Sequence, residues 1–227
     1  FSVIFGMLIV AAGYRLTASL FDEASGWAAG LVLAISPYNI WYSQEIRMYT
    51  QGAFLGLVSF WAAWRFLGQR DQLHMGRRNW AVVYVLSAAS GLYTLYYFAF
   101  VLVAMNLWAC VVLLARRRLG DSVRSMVGQW IILQLATIAL YTPWLGVAIQ
   151  QAIEPPVPPW RSFIPLWKMF LDSWSVLSFG QSVATVHVAF ALGVVAVIYA
   201  IGATITFRRN GHLGLGLTMY TFCPVVI

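Results

Sequence analysis

Between two apolar runs the chain reads Ser36-Pro37-Tyr38-Asn39-Ile40-Trp41-Tyr42-Ser43-Gln44-Glu45-Ile46-Arg47-Met48-Tyr49, and no other stretch gathers as many groups able to do chemistry. Gln44, Glu45, Arg47 and Tyr49 supply donors, acceptors and both signs of charge within a few residues of each other. A guanidinium offers a planar fork of N–H groups that matches phosphate oxygens in pairs, so Arg47 is suited to an anionic, phosphate-bearing ligand. Glu45, two residues away, can orient that guanidinium or accept from hydroxyl groups, and Tyr42, Tyr49 and Gln44 can line a pocket around them. The plainer reading is a solvated pair on a loop, which would contribute little. Which reading holds depends on where the stretch lies, because an ionisable pair at the boundary of a membrane points to function in a way that a pair on a water-facing loop does not.

The elements around it supply the boundary. Apolar residues make up 61% of the 227-residue chain and charged residues only 9%, and the mean hydropathy is +0.77. So little polar surface excludes a water-soluble globule and leaves a bundle whose solvent is lipid. The net charge of +7 does not mark a nucleic-acid surface, since the cations punctuate apolar segments and form no stripe interleaved with aromatics. A hydrocarbon core about 30 Å thick needs about 20 apolar residues per helix. That ruler picks out residues 1–14, 26–40, 52–67, 80–93, 96–115, 130–149 and 188–207, with an eighth run from Leu213. The expectation is an all-α polytopic transmembrane bundle of about eight spans. Phe1 and Ile227 both fall inside apolar runs, so the expected domain covers residues 1–227 and is truncated at both ends.

Residues 80–115 are long for one helix and short for two. Arg65, Arg70, Arg77 and Arg78 precede this region, while Arg116, Arg117, Arg118 and Arg124 follow it. If both clusters are cytoplasmic, as short basic loops tend to be, the chain crosses twice between them, with Gly91 and residues 93–97 marking the turn. Carried through the chain, this alternation puts 11 of the 14 basic residues inside and leaves only Arg47, Arg161 and Lys168 outside. Trp41, Tyr42, Tyr141 and Trp144 fall where interfacial aromatic belts belong.

The second outside segment, residues 150–187, opens with the stiff connector Glu154-Pro155-Pro156-Val157-Pro158-Pro159-Trp160. From Pro165 a helical pattern sets Leu166, Phe170, Trp174 and Leu177 on one face and Lys168, Asp172 and Ser175 on another, as expected of an amphipathic helix lying in the interface. It is either a surface helix closing the bundle or, with Arg161 and Lys168, a rim attracting a phosphate. The pairs Gly26/Gly30 and Gly52/Gly56 have the spacing that lets helices approach closely. Cys110 and Cys223 sit in apolar stretches as small hydrophobes. His74, His187 and His212 have no ligand spacing, so no metal site is expected from them.

The run Pro37, Ile40, Tyr42, Ser43, Gln44, Glu45, Arg47, Met48 and Tyr49 resembles the P-x-x-I-x-Y-S-Q-E-x-R-M-Y element of bacterial membrane glycosyltransferases of the GT-C superfold. These are relatives of protein O-mannosyltransferases and of the aminoarabinose transferases of lipid A. Tyr14-Arg15-Leu16 and the stretch from Phe21 to Ala29 are similar to that family's second helix and cytoplasmic turn. The resemblance implies a GT-C-like fold in the cell membrane and inverting transfer of a sugar from a polyprenyl-phosphate carrier. The acceptor would be a glycan, lipid or protein on the extracytoplasmic face. It also implies a catalytic Asp or Glu in a loop that would precede Phe1, with Arg47 stabilising the leaving phosphate and Glu45 orienting Arg47 or binding acceptor hydroxyls. Where relatives often carry a His, this chain has Leu95, and a divalent metal, the one cofactor this chemistry would accommodate, is assigned to no residue. The alternative is a transporter or flippase of an amphiphilic lipid, for which charges near the bilayer midplane or broken helices would be expected.

Overall fold

The computed structural model describes residues 1–68, 76–119, 122–153, 165–183 and 185–226. Among them there are ten α-helices and no strand: α1 (Ser2–Leu20), α2 (Glu23–Ile35), α3 (Pro37–Gln44), α4 (Tyr49–Leu67), α5 (Arg77–Thr94), α6 (Phe98–Arg118), α7 (Arg124–Ile153), α8 (Leu166–Phe179), α9 (Ala189–Arg209) and α10 (Gly211–Val226). A 3₁₀ turn, Thr185–Val188, leads into α9. Four of these helices, α1, α6, α7 and α9, are long and apolar enough to cross a membrane. Their isoleucines, leucines and valines are largely exposed, as suits a lipid solvent and not water. Of the other four apolar runs in the sequence, 26–40 is divided between α2 and the start of α3, and the rest correspond to α4, α5 and α10; these helices are shorter or less apolar.

The chain forms two compact units, Phe1–Leu57 with Ile164–Ile227, and Val58–Phe163. In the first, α1 and α2 make a hairpin. A Cβ on Gly26 would lie 2.7 Å from the Ala18 Cβ and 3.0 Å from the Tyr14 carbonyl, so only glycine allows the two backbones this close. Asp22 caps α2 by accepting from the Ser25 N–H at 2.8 Å. That bond, with a smaller contribution from Arg209, holds the Asp22 carboxyl below the usual carboxylate range. The α1–α2 turn and the C-terminus of α9 therefore lie at one end of this unit. The Tyr14 hydroxyl donates to Glu23 at the same turn.

Pro37 ends α2 as its ring demands, but it also starts a helix. Ser36 caps α3 and Pro37 occupies its first turn, where a missing N–H costs nothing. The polar connection read from the sequence is thus a short helix followed by a turn. Helix α8 packs on α3, α9 and α10. Its inner surface differs from the amphipathic face read from the sequence. Phe170 and Trp174 do pack inward, against Phe222 and Tyr199. Leu166 and Leu177 are exposed, whereas Ser175, assigned to the polar face, is buried. Ser175 is the one buried residue of α8, small enough to sit at a close approach.

In the second unit α5 and α6 are two helices joined at residues 95–97, so the run 80–115 is a hairpin. Gly91 is not at the turn. It lies inside α5, where a Cβ would come within 2.5 Å of the Phe98 ring. The Arg77 guanidinium is close enough to Arg116 to feel its charge, which puts the two basic clusters at one end of this unit. Trp108 packs between Phe60 and Trp64, and Trp130 packs on Tyr84. A polar chain crosses the interior: Trp130 donates to Asn106 at 2.9 Å, Asn106 donates to Gln134 at 3.2 Å, and Gln134 donates to the Tyr84 hydroxyl at 3.1 Å. Each group satisfies the next, as buried polar atoms must.

Candidate functional site

The Tyr42–Tyr49 segment is held in place from three directions. Toward α1 and α2, the Asn39 amide donates to the Gly6 carbonyl at 3.4 Å and to the Leu33 carbonyl at 3.2 Å, and Gly6 leaves room for Ser43. After α3 the backbone becomes extended at Glu45, and the Arg47 N–H donates to the Glu45 carbonyl at 2.9 Å, closing a tight turn. The Ser2 hydroxyl donates to the Arg47 carbonyl at 3.2 Å, tying that turn to the start of α1. From the far end of the sequence, Gln181 donates to the Tyr42 hydroxyl at 2.5 Å. Gln181 reaches it because α8 ends at Gly180, whose φ of 82° needs a glycine and whose missing side chain leaves room for Pro37.

Within this frame Glu45 has two partners. Trp41 Nε1–H donates to one carboxylate oxygen at 3.0 Å, and the other lies 3.8 Å from Arg47 Nε. The Arg47 side chain remains 62% exposed, against 35% for Glu45. The guanidinium sits over the Tyr49 ring, 6.0 Å from its centre. Its pKa is pushed above the ordinary arginine value, first by the hydrogen bond to Tyr49 and to a lesser extent by Glu45, so its charge is permanent. Tyr49 meets Tyr42 edge-on at 5.1 Å, and Tyr42 packs on Tyr38 at 4.6 Å. Burial pushes the Tyr38 phenol up to about 12, so it stays protonated.

The structure therefore brings together Tyr42, Glu45, Arg47 and Tyr49. It places Gln44 elsewhere, in a groove of about 480 Å³ shared with Val3, Met7 and Ser43. Lys168 is exposed on α8, where its backbone N–H donates to the Pro165 carbonyl at 2.9 Å and its side chain makes no hydrogen bond or ion pair with the described residues. Arg161 lies outside the described residues, as do Arg70, His74 and the connector 154–160. Leu95 sits in the α5–α6 turn, and among the described residues no group of His, Cys, Asp and Glu could hold a metal.

Two participants escaped the sequence reading. Trp41 was read as an interfacial anchor, yet its N–H fixes Glu45. The four-residue spacing carries that signal once the segment is known to be helical. Gln181 is 139 residues from Tyr42, and no local pattern announces their meeting. Chemically, the arrangement presents one accessible, permanently charged guanidinium beside a row of aromatic rings, a surface for an amphiphilic anion. Compared with known protein families, curated proteins and solved structures, the chain finds no match in any of the three.

Proposed function

We propose that this chain belongs to an integral-membrane glycosyltransferase of the GT-C type that moves a sugar from a polyprenyl-phosphate carrier to an acceptor on the extracytoplasmic face. In this reading all eight apolar helices cross the membrane. Arg47, Arg161 and Lys168 lie outside, and the two arginine clusters lie inside. The acceptor oxygen attacks the anomeric carbon on the face opposite the phosphate. The carbon–oxygen bond to phosphate breaks with its electron pair, and polyprenyl phosphate departs. The base that takes the acceptor proton is expected in the loop that, in the relatives this motif resembles, follows the first helix. Arg47 meets the charge growing on the departing phosphate, where fixed donors contribute most.

The observation that supports this reading is the state of Arg47. Glu45 is paired with it at 3.8 Å, through Nε, and the side chain stays 62% exposed, so the guanidinium remains accessible to a phosphate. A cation serving only as a structural partner would be expected to be enclosed by its carboxylate. The test is labelling by a photoreactive polyprenyl-phosphate sugar in membranes holding the full-length protein. Crosslinks within residues 42–49 that polyprenyl phosphate competes away, and that Arg47→Ala abolishes, are the expected result. Equal labelling of wild type and Arg47→Ala would overturn it.

A further inference from the structure

The second unit carries a groove of about 330 Å³ at the end where its two arginine clusters meet. Arg77 and Arg78 head it, Phe66 and Leu133 form its floor, and Ala81 and Ile132 form its side. Ile132 is 63% exposed, so the groove opens along a surface that in a bilayer would face lipid tails. The Arg77 guanidinium lies over the Phe66 ring at 4.6 Å, which holds it at the mouth.

The charge around this mouth is out of balance. Arg77 and Arg116 are close enough to repel. Arg116 has a thioether, Met126 Sδ at 3.5 Å, as its hydrogen-bond acceptor among the described residues. The connecting stretches 65–78 and 116–124 hold eight arginines and two acids, Asp71 and Asp121, an excess of six positive charges in the sequence. Helix α5 adds to the imbalance. Its first turn has two arginines and no acid, and Gly76 gives no side-chain cap, so two cations sit where the helix dipole favours an anion.

We propose that this groove is a binding site for an anionic phospholipid. Its phosphate is taken by Arg77 and Arg78 with Arg116 nearby, and its proximal acyl chain lies along Ala81, Ile132 and Leu133. A free anion would satisfy the charge but leave the apolar wall uncovered, and a zwitterionic lipid would cover the wall but bring no net charge. Only a negatively charged lipid does both, as expected for basic pockets beside transmembrane helices. The site is independent of the Arg47 segment and of the glycosyltransferase reading.

The experiment is native mass spectrometry of the full chain, titrated with phosphatidylglycerol and phosphatidylcholine in competition. Each arginine near a charged lipid surface is worth about fivefold in affinity, so Arg77→Gln with Arg78→Gln should weaken phosphatidylglycerol binding about thirtyfold and erase its advantage over phosphatidylcholine. Arg117→Gln with Arg118→Gln, in the neighbouring cluster but outside the groove, should retain that advantage. Ala81→Phe keeps every charge and fills the groove, so it too should lose the lipid. Thermal melting in detergent checks that each variant is folded, and the Ala81→Phe arm keeps the test decisive if the double arginine variant is not. Equal losses in the two double arginine variants would show diffuse surface charge and overturn the proposal. So would full retention by Ala81→Phe, or complete displacement of the lipid by inorganic phosphate.

Discussion

Replacing Arg47 with alanine separates two roles by size alone. As a partner of Glu45 it takes part in a loose pair, 3.8 Å apart, with side chains 62% and 35% exposed. Such pairs are heavily screened, and losing one changes an equilibrium by about fivefold at most. Glu45 would also keep its bond from Trp41 at 3.0 Å, which limits the disturbance further. As the group meeting a departing phosphate, Arg47 should matter by about a hundredfold in kcat, the range found for single donors aimed at developing charge. Lysine keeps the charge without the planar fork and should restore activity only in part. Glu45→Gln should cost severalfold, and combining it with Arg47→Ala should add almost nothing, because the orienting group then has nothing to orient. The assay is steady-state sugar transfer from a polyprenyl-phosphate donor by the full-length protein in vesicles, with insertion of each variant verified. Equal, small losses for Arg47→Ala and Glu45→Gln would refute the reasoning and leave the segment as an interfacial anchor.

Other perturbations follow from the same geometry. Asn106→Leu removes the bonds to Gln134 and Trp130 inside the second unit. At about 0.6 to 1.7 kcal/mol per interhelical bond in a membrane, it should lower stability by about 1 to 3 kcal/mol, measurable by unfolding in mixed micelles. Gln181→Ala frees the Tyr42 hydroxyl and should raise the donor KM by up to about fivefold, with Tyr42→Phe adding little on top. The depressed pKa of Asp22 means that its cap stabilises the fold above the ordinary carboxylate value near 3.9 and that this stabilisation is lost as pH falls through the lower folded value. Asp22→Asn keeps the cap without titrating. Wild type should therefore lose thermal stability relative to Asp22→Asn below about pH 4, and parallel melting curves down to pH 3 would contradict the assignment.

Much of the helical frame was legible because a lipid solvent leaves long, simple signals. Most apolar runs became single helices, though the run 26–40 is broken at Ser36 between α2 and α3, and arginines on both sides of residues 80–115 pointed to the hairpin that α5 and α6 form. The Gly26/Gly30 spacing read as close packing, and the α1–α2 contact depends on it. Local chemistry was harder to read. Pro37 signalled an end to α2, but the helix it starts depends on the Ser36 cap and on Asn39 reaching α1, a contact with no periodic trace. For the same reason Gln44, adjacent to Glu45, was grouped with it, although one residue turns a side chain 100° around α3 and into a different groove. In α8 the period reports which residues share a side and not which of them a neighbour covers: Phe170 and Trp174 are packed, while Leu166 and Leu177 are exposed. Gln181 was invisible because proximity across 139 residues is a property of the packed unit.

The most direct measurement is the fate of the bond between sugar and phosphate. Purified full-length protein in vesicles, given a polyprenyl-phosphate sugar labelled in both halves together with an acceptor extract, should release polyprenyl phosphate in step with the appearance of a glycosylated acceptor. The new linkage should have inverted anomeric configuration, and both products should be reduced about a hundredfold by Arg47→Ala. If the labelled lipid instead crossed the bilayer intact, with sugar and phosphate still joined, the protein would be a transporter and the account of Arg47 would be wrong.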